Sequence, residues 1–81
     1  MKISVEISMY PLLEEYETPI LQFIERLKAH PGLLVRTNTM STQVFGDFET
    51  VAGALTAEIR TSFEEGIPSI MVMKWINLDV R

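Results

Sequence analysis

Cysteine is absent from the 81-residue chain. That excludes disulfides, thiolate metal sites and thiol nucleophiles, and a domain of this size buries only roughly 60–65% of its unfolded surface. There is a single histidine, His30, with no second His or Cys beside which to build a metal site. It sits before Pro31 at a helix end and reads as structural or solvated, and no Ser-His-Asp arrangement is apparent around it. Basic residues are few, seven Lys plus Arg against eleven Asp plus Glu, for a net charge of −4 without any basic cluster. Nucleic acid is therefore a poor partner, and any charge preference leans towards a cationic ligand. No glycine-rich loop suits a phosphate. No apolar run approaches the roughly 20 residues of a membrane span. Met1-Lys2 leads directly into an alternating segment, not an apolar signal core. The expectation is one cytoplasmic domain over residues 1–81, with no metal, no cofactor and no membrane.

What is present is a clear pattern of periods. Ile3, Val5, Ile7 and Met9 alternate with Ser4, Glu6, Ser8 and Tyr10, the signature of a half-buried strand closed by Pro11. Thr18-Pro19 reads as an N-cap followed by proline at the first helical position. Ile20, Phe23, Ile24 and Leu27 then form an apolar helical stripe. After His30-Pro31-Gly32 come a short strand over 33–37, a connection at Asn38-Thr39-Met40, and a strand from Ser41 to Gly46. Asp47 reads as the cap of a second helix in which Val51, Leu55, Ile59 and Phe63 recur every four residues, with Ala52, Gly53 and Ala54 keeping its first turns slim. Gly66 and Pro68 stop it. The last strand, from Ser69 to about Leu78, is apolar on both alternations.

The order β-α-β-β-α-β predicts a ferredoxin-like α+β sandwich, a four-stranded antiparallel sheet with two helices on one face. Right-handed crossovers put the first and third strands side by side in the middle. The polar alternation Glu6, Ser8, Tyr10 then lies next to Ser41-Thr42-Gln43. Whichever alternation of the last strand meets the helices, large apolar side chains point the other way. Such a patch marks an interface, and a homodimer or homotetramer through the helix-free sheet face is expected, held by Met71 or Trp75, whichever lies on that face.

Three consecutive polar residues, Ser41-Thr42-Gln43, are more polar chemistry than a strand entry needs for folding. Hydroxyls and a carboxamide both donate and accept, which suits a neutral heteroaromatic ligand better than a phosphate. The strings Ser8-Met9-Tyr10-Pro11-Leu12 and, about thirty residues on, Asn38-Thr39-Met40-Ser41-Thr42-Gln43-Val44-Phe45-Gly46-Asp47 resemble the YkoF-like thiamine- and hydroxymethylpyrimidine-binding domains. The likeness spans nearly the whole chain. It implies a ferredoxin-like fold that binds an aminopyrimidine without catalysis, in a family that includes self-assembling single domains.

The candidate ligand-binding residues are Glu6, Ser8, Tyr10, Asn38, Ser41, Thr42 and Gln43. Glu6 offers a carboxylate to an amino group or a protonated ring nitrogen, Tyr10 a ring for stacking, and Gln43 an amide that can satisfy a ring nitrogen and an amino group together. Most also have a plain alternative: a solvated strand position for Glu6, edge polarity for Ser8 and Tyr10, a cross-strand pair for Gln43, the turn for Asn38, and for Thr42 a side chain on the face opposite Gln43. Two other functions stay open, an oxidative enzyme of the dimeric ferredoxin-like monooxygenase type and a purely structural or regulatory oligomer.

Overall fold

A computed structural model describes all residues from Met1 to Arg81. Its elements run β1 (Lys2–Pro11), α1 (Glu17–Lys28), β2 (Leu34–Thr37), β3 (Thr42–Asp47), α2 (Phe48–Glu64) and β4 (Ser69–Ile76). The sheet order is β2-β3-β1-β4, with every neighbouring pair antiparallel. This is the expected ferredoxin-like sandwich. No helix is long and apolar enough to cross a membrane.

The strict alternation of β1 decides which face is dry. Ile3, Val5 and Ile7 are each 2% exposed and, with Met9, meet Phe23 and Leu27 of α1, Val44 of β3, and Val51, Ala54 and Leu55 of α2. Fully burying one such side chain contributes roughly 1.5–3 kcal/mol. The helices sit over β1, β2 and β3, and α2 packs mainly on β3, reaching β4 chiefly through Phe48 against Trp75. The helix-side residues of β4 are Met71, Met73 and Trp75, which stand opposite Met9, Ile7 and Val5. Met73 and Trp75 remain well exposed because no helix lies fully above them. Ile70, Val72, Lys74 and Ile76 point to the helix-free side. Met71 and Trp75 thus both lie on the helix side, and neither of these two candidates points to the helix-free face.

Helix ends and glycines depart from the expected chemistry in four places. α1 begins at Glu17, with Tyr16 as its N-cap residue. Pro19 therefore falls inside the first turn, and the Thr18 amide donates to Glu15 Oε1 at 3.4 Å. Asp47 does occupy the N-cap position of α2 but makes no capping hydrogen bond. Its carboxylate lies 3.4 Å from Lys2 Nζ, while the Phe48 amide donates to the Met1 carbonyl at 2.9 Å. β3 does not stop at Gly46. A Cβ there would lie 2.9 Å from the Gly32 carbonyl oxygen and 3.2 Å from Val51, so glycine admits the loop after α1. Gly53 is not needed for close approach, since a Cβ there would meet nothing within 4 Å. Gly66 does end α2 as expected, with a φ of +87°.

The two helices are tied by a polar network. Arg26 donates from Nε to Glu58 Oε1 at 2.8 Å and from Nη2 to Ser62 Oγ at 2.6 Å, and His30 Nε2 bonds Glu58 Oε2 at 2.6 Å. His30 is thus structural. Its hydrogen bond, reinforced by Arg26 and opposed by burial, holds the Glu58 carboxyl below the ordinary value of 4.5. A carboxyl with a depressed folded-state pKa contributes stability that is present above its unfolded pKa and is lost as pH falls through the folded one.

Two stability measurements check this account. Gly53→Ala should raise stability by ~0.5–1 kcal/mol, since it removes a flexible helix interior at no steric cost. Gly46→Ala should lower it by ~1–3 kcal/mol, because the nearest obstacle is backbone. Thermal unfolding of both variants gives the signs. In the second measurement, wild type should lose stability as pH drops from about 5 towards about 3. Glu58→Gln should be less stable at neutral pH and should show a flatter acid limb in chemical denaturation.

Candidate functional site

β1 outruns β3. Their pairing ends at Ile7 opposite Thr42, whereas pairing with β4 continues to Pro11 opposite Ser69. The backbone edge of Ser8, Met9 and Tyr10 on the β3 side is therefore left without a strand partner, and it borders a cleft of about 510 Å3. The β2–β3 connection forms one wall. Asn38 shapes it: its Oδ1 accepts from the Met40 and Ser41 amides at 2.8 and 2.9 Å, while its own amide donates to the Ser41 carbonyl at 3.1 Å. Asn38 is a turn residue first, with the side-chain oxygen already committed. Across the cleft stand Leu12 and Tyr16, and Phe23 and Ile24 of α1 supply apolar surface.

Five of the seven candidate residues, Ser8, Tyr10, Asn38, Ser41 and Thr42, line this cleft. Thr42 belongs to the helix-side alternation and is buried at 7% exposure, so it and Gln43 point to opposite faces. Tyr10 is half-exposed, with a ring available for stacking. Ser8 Oγ lies 3.5 Å from the Met40 carbonyl, too long for a strong bond and hence readily exchanged for a ligand.

Glu6 and Gln43 are brought together, directly opposite each other on the central strands, but they line a different hollow. This second space, about 380 Å3, lies on the helix-free face and is also bordered by Phe45, Lys74 and Val80. The Glu6 carboxylate is not free. Ser41 Oγ donates to its Oε2 at 3.0 Å, and Lys74 Nζ lies 3.6 Å from its Oε1. Ser41 is consequently the hinge of the site: it lines the cleft and touches the residue that faces the second hollow. Gln43 makes no side-chain hydrogen bond within the protein, so its amide stays available.

The helix-free face is less open than the sequence implies. Residues after β4 fold back over it. Ser4 Oγ donates to the Leu78 carbonyl at 2.7 Å and accepts from the Val80 amide at 3.0 Å, which buries Ser4 to 4% exposure. The guanidinium of Arg81 lies 5.8 Å from the centre of the Phe45 ring, with that of Arg36 at 5.5 Å. Arg81 also bonds Asp79 at 2.9 Å and holds its carboxyl below the ordinary range. Sequence reading missed this tail, the Lys74 partner of Glu6 and the α1 wall of the cleft. One signal was available: Phe45 is a large apolar residue on the wet alternation Ser41, Gln43, Phe45, Asp47.

No family model matches this chain, and no curated protein matches it in sequence. Solved structures do. A hypothetical protein of Methanocaldococcus jannascii superimposes with a TM-score of 0.82 at 23% identity, over 99% of this chain and 84% of its own. A Streptococcus pneumoniae protein gives 0.88 at 18%, over 99% and 90%. A Thermotoga maritima protein described as a candidate for thiamine biosynthesis or salvage gives 0.81 at 19%, over 100% and 85%. At these identities the likeness establishes the fold alone.

Ser4→Ala should release the tail. Loss of a neutral hydrogen bond costs ~0.5–1.5 kcal/mol, and the freed Leu78 and Val80 groups can turn to water. The expected result is faster amide exchange at Val80, with α1 and α2 unchanged; equal exchange at Val80 in both proteins would refute the anchor.

Proposed function

We propose that this chain binds a small planar nitrogen heterocycle, of the aminopyrimidine type found in thiamine and hydroxymethylpyrimidine, without transforming it. The observation that carries this reading is the gap in the β1–β3 ladder. It leaves a strand edge, with alternating N–H donors and C=O acceptors, along a cleft of about 510 Å3. Ligand pockets of roughly 300–1,000 Å3 combine apolar walls with a few fixed polar groups. An aminopyrimidine offers a donor amino group beside an acceptor nitrogen, which complements both that edge and the hydroxyls of Ser8 and Ser41. Tyr10 supplies a stacking surface.

Three further points support it. The sequence strings around Ser8–Leu12 and Asn38–Asp47 resemble thiamine-binding domains. A protein of the same fold is described as a candidate for thiamine biosynthesis or salvage. The cleft is lined by no carboxylate, histidine or lysine, so binding without turnover suits its chemistry better than oxidation or hydrolysis. Ser41 links the cleft to Glu6, whose carboxylate also answers Lys74, so a cationic extension of the ligand would share that carboxylate with the lysine. Gln43 stands beside Glu6 to receive it.

Calorimetry with thiamine and with hydroxymethylpyrimidine tests this. Both should bind saturably with no product formed, and both should raise the unfolding temperature. Ser41→Ala should weaken each by ~0.5–1.5 kcal/mol, roughly two- to tenfold. Glu6→Gln should weaken the cationic thiamine more than the neutral pyrimidine, and Gln43→Leu should follow Glu6→Gln, all with little change in unfolding temperature. Silence with both compounds on folded protein would refute the reading.

A further inference from the structure

Six of the seven basic side chains of this acidic chain have a carboxylate within 3.8 Å. Arg36 is the exception. With a net charge of −4 there is no shortage of carboxylates, so the exception is one of placement. What the exposed Arg36 guanidinium touches is the ring of Phe45, whose centre lies 5.5 Å away. A cation–π contact of this kind limits the freedom of the side chain without using any of its N–H groups.

Arg36 stands at one end of a row that crosses the whole sheet. It lies opposite Gln43, Gln43 opposite Glu6, and Glu6 opposite Lys74. Residues paired in this way share a face, here the helix-free one, and their side chains are within reach of one another. Glu6 does not answer Arg36, because it is already held by Lys74 at 3.6 Å and Ser41 at 3.0 Å. Gln43, between them, has an uncommitted side chain. The β2–β3 end of the row is therefore rich in donors, five N–H on the guanidinium and two on the amide, with only the amide oxygen as acceptor. Arg81 brings a second guanidinium 5.8 Å from the Phe45 ring, but Asp79 answers it at 2.9 Å. The local surplus of positive charge is that of Arg36.

We propose that Arg36 and the Gln43 amide form an oxyanion subsite, which takes the carboxylate or phosphate of a small ligand lying on the helix-free face. The planar guanidinium can grip two oxygens in parallel while Gln43 Nε2 donates to one of them. The body of the ligand rests in the adjoining hollow of about 380 Å3, which starts at Gln43 and Phe45 and continues to Ile76 and Val80. Apolar surface thus adjoins the charged end. Glu6, one strand further on, repels an anion that strays across the sheet and confines it to the β2–β3 side. The cleft beyond β3 takes no part, so the subsite stands independently of the heterocycle reading.

Phenyl phosphate and benzoate are suitable probes, since each carries an oxyanion on an apolar ring and neither has a nitrogen heterocycle or a cation. NMR titration should show saturable shifts at the Arg36 Nε–H and the Gln43 side-chain amide, with dissociation constants in the millimolar range. The tighter probe identifies the group as phosphate or carboxylate; no saturable shift with either would overturn the subsite. Arg36→Gln should weaken binding roughly tenfold or more, and Arg36→Lys, which keeps the charge without the fork, should recover only part of the loss. Gln43→Leu should weaken it roughly two- to tenfold. Glu6→Gln should tighten it, the reverse of its expected effect on thiamine. Arg60→Gln, on α2, should change nothing; a loss equal to that of Arg36→Gln would mean general attraction to positive charge and would overturn the proposal. Circular dichroism verifies folding. Should a variant unfold, the wild-type titration decides: side-chain shifts confined to Arg36 and Gln43 support the subsite, and shifts spread over all the arginines refute it.

Discussion

The register of β1 is the constraint on which the rest of the molecule depends. This one strand makes two of the sheet's three ladders, gives Ile3, Val5, Ile7 and Met9 to the core, and presents Ser4, Glu6, Ser8 and Tyr10 to the opposite face. A slip of one residue would exchange the two sets and bury a carboxylate beneath the helices. The same residues distribute the functional surface. Ser4 anchors the tail, Glu6 meets Ser41 and Lys74, and Ser8 and Tyr10 extend past the end of β3 to border the cleft. The site is in this sense a by-product of strand length, because β1 has ten residues and β3 has six.

The fold was legible because its elements write their periods plainly. Alternation in β1 and the four-residue recurrence in α2 are signals that tertiary context did not overturn, and right-handed crossovers left a single arrangement of strands. The errors fall where the deciding partner is distant in sequence or is backbone. Thr18-Pro19 has the composition of a helix start, yet the helix begins at Glu17. Asp47 occupies its expected position and turns to Lys2 on the neighbouring strand. Gly46 reads as a terminator, while its function is to let the Gly32 carbonyl pass, which no local pattern reveals.

The candidate site was legible as a set of residues and not as a shape. Adjacency of the central strands was read correctly, so the seven residues do gather near one another, with Thr42 turned to the helix side of the sheet. Their division into two hollows follows from where the β1–β3 pairing stops, a length that sequence fixes only loosely. The covering of Ser4 was out of reach for a different reason: its hydroxyl receives a segment more than seventy residues away. The Arg26–Glu58–His30–Ser62 network was hidden likewise, since its members lie on two helices and none is unusual by itself.

The pairing of β1 with β4, and of Ser4 with the tail, joins the first strand of the chain to its last. On a ribosome the chain emerges in order, so β1 appears early and waits. The β-α-β-β-α portion can collapse around Phe23, Leu27 and Val51, but one flank of β1 stays bare until β4 is released. Closure over so long a loop delays folding relative to a helical bundle of equal size. An unpaired, apolar-lined strand in a waiting intermediate is the kind of surface that chaperones hold and that neighbouring nascent chains can capture. Placing the partner of a central strand at the far end of the sequence thus makes translation itself part of this protein's folding problem.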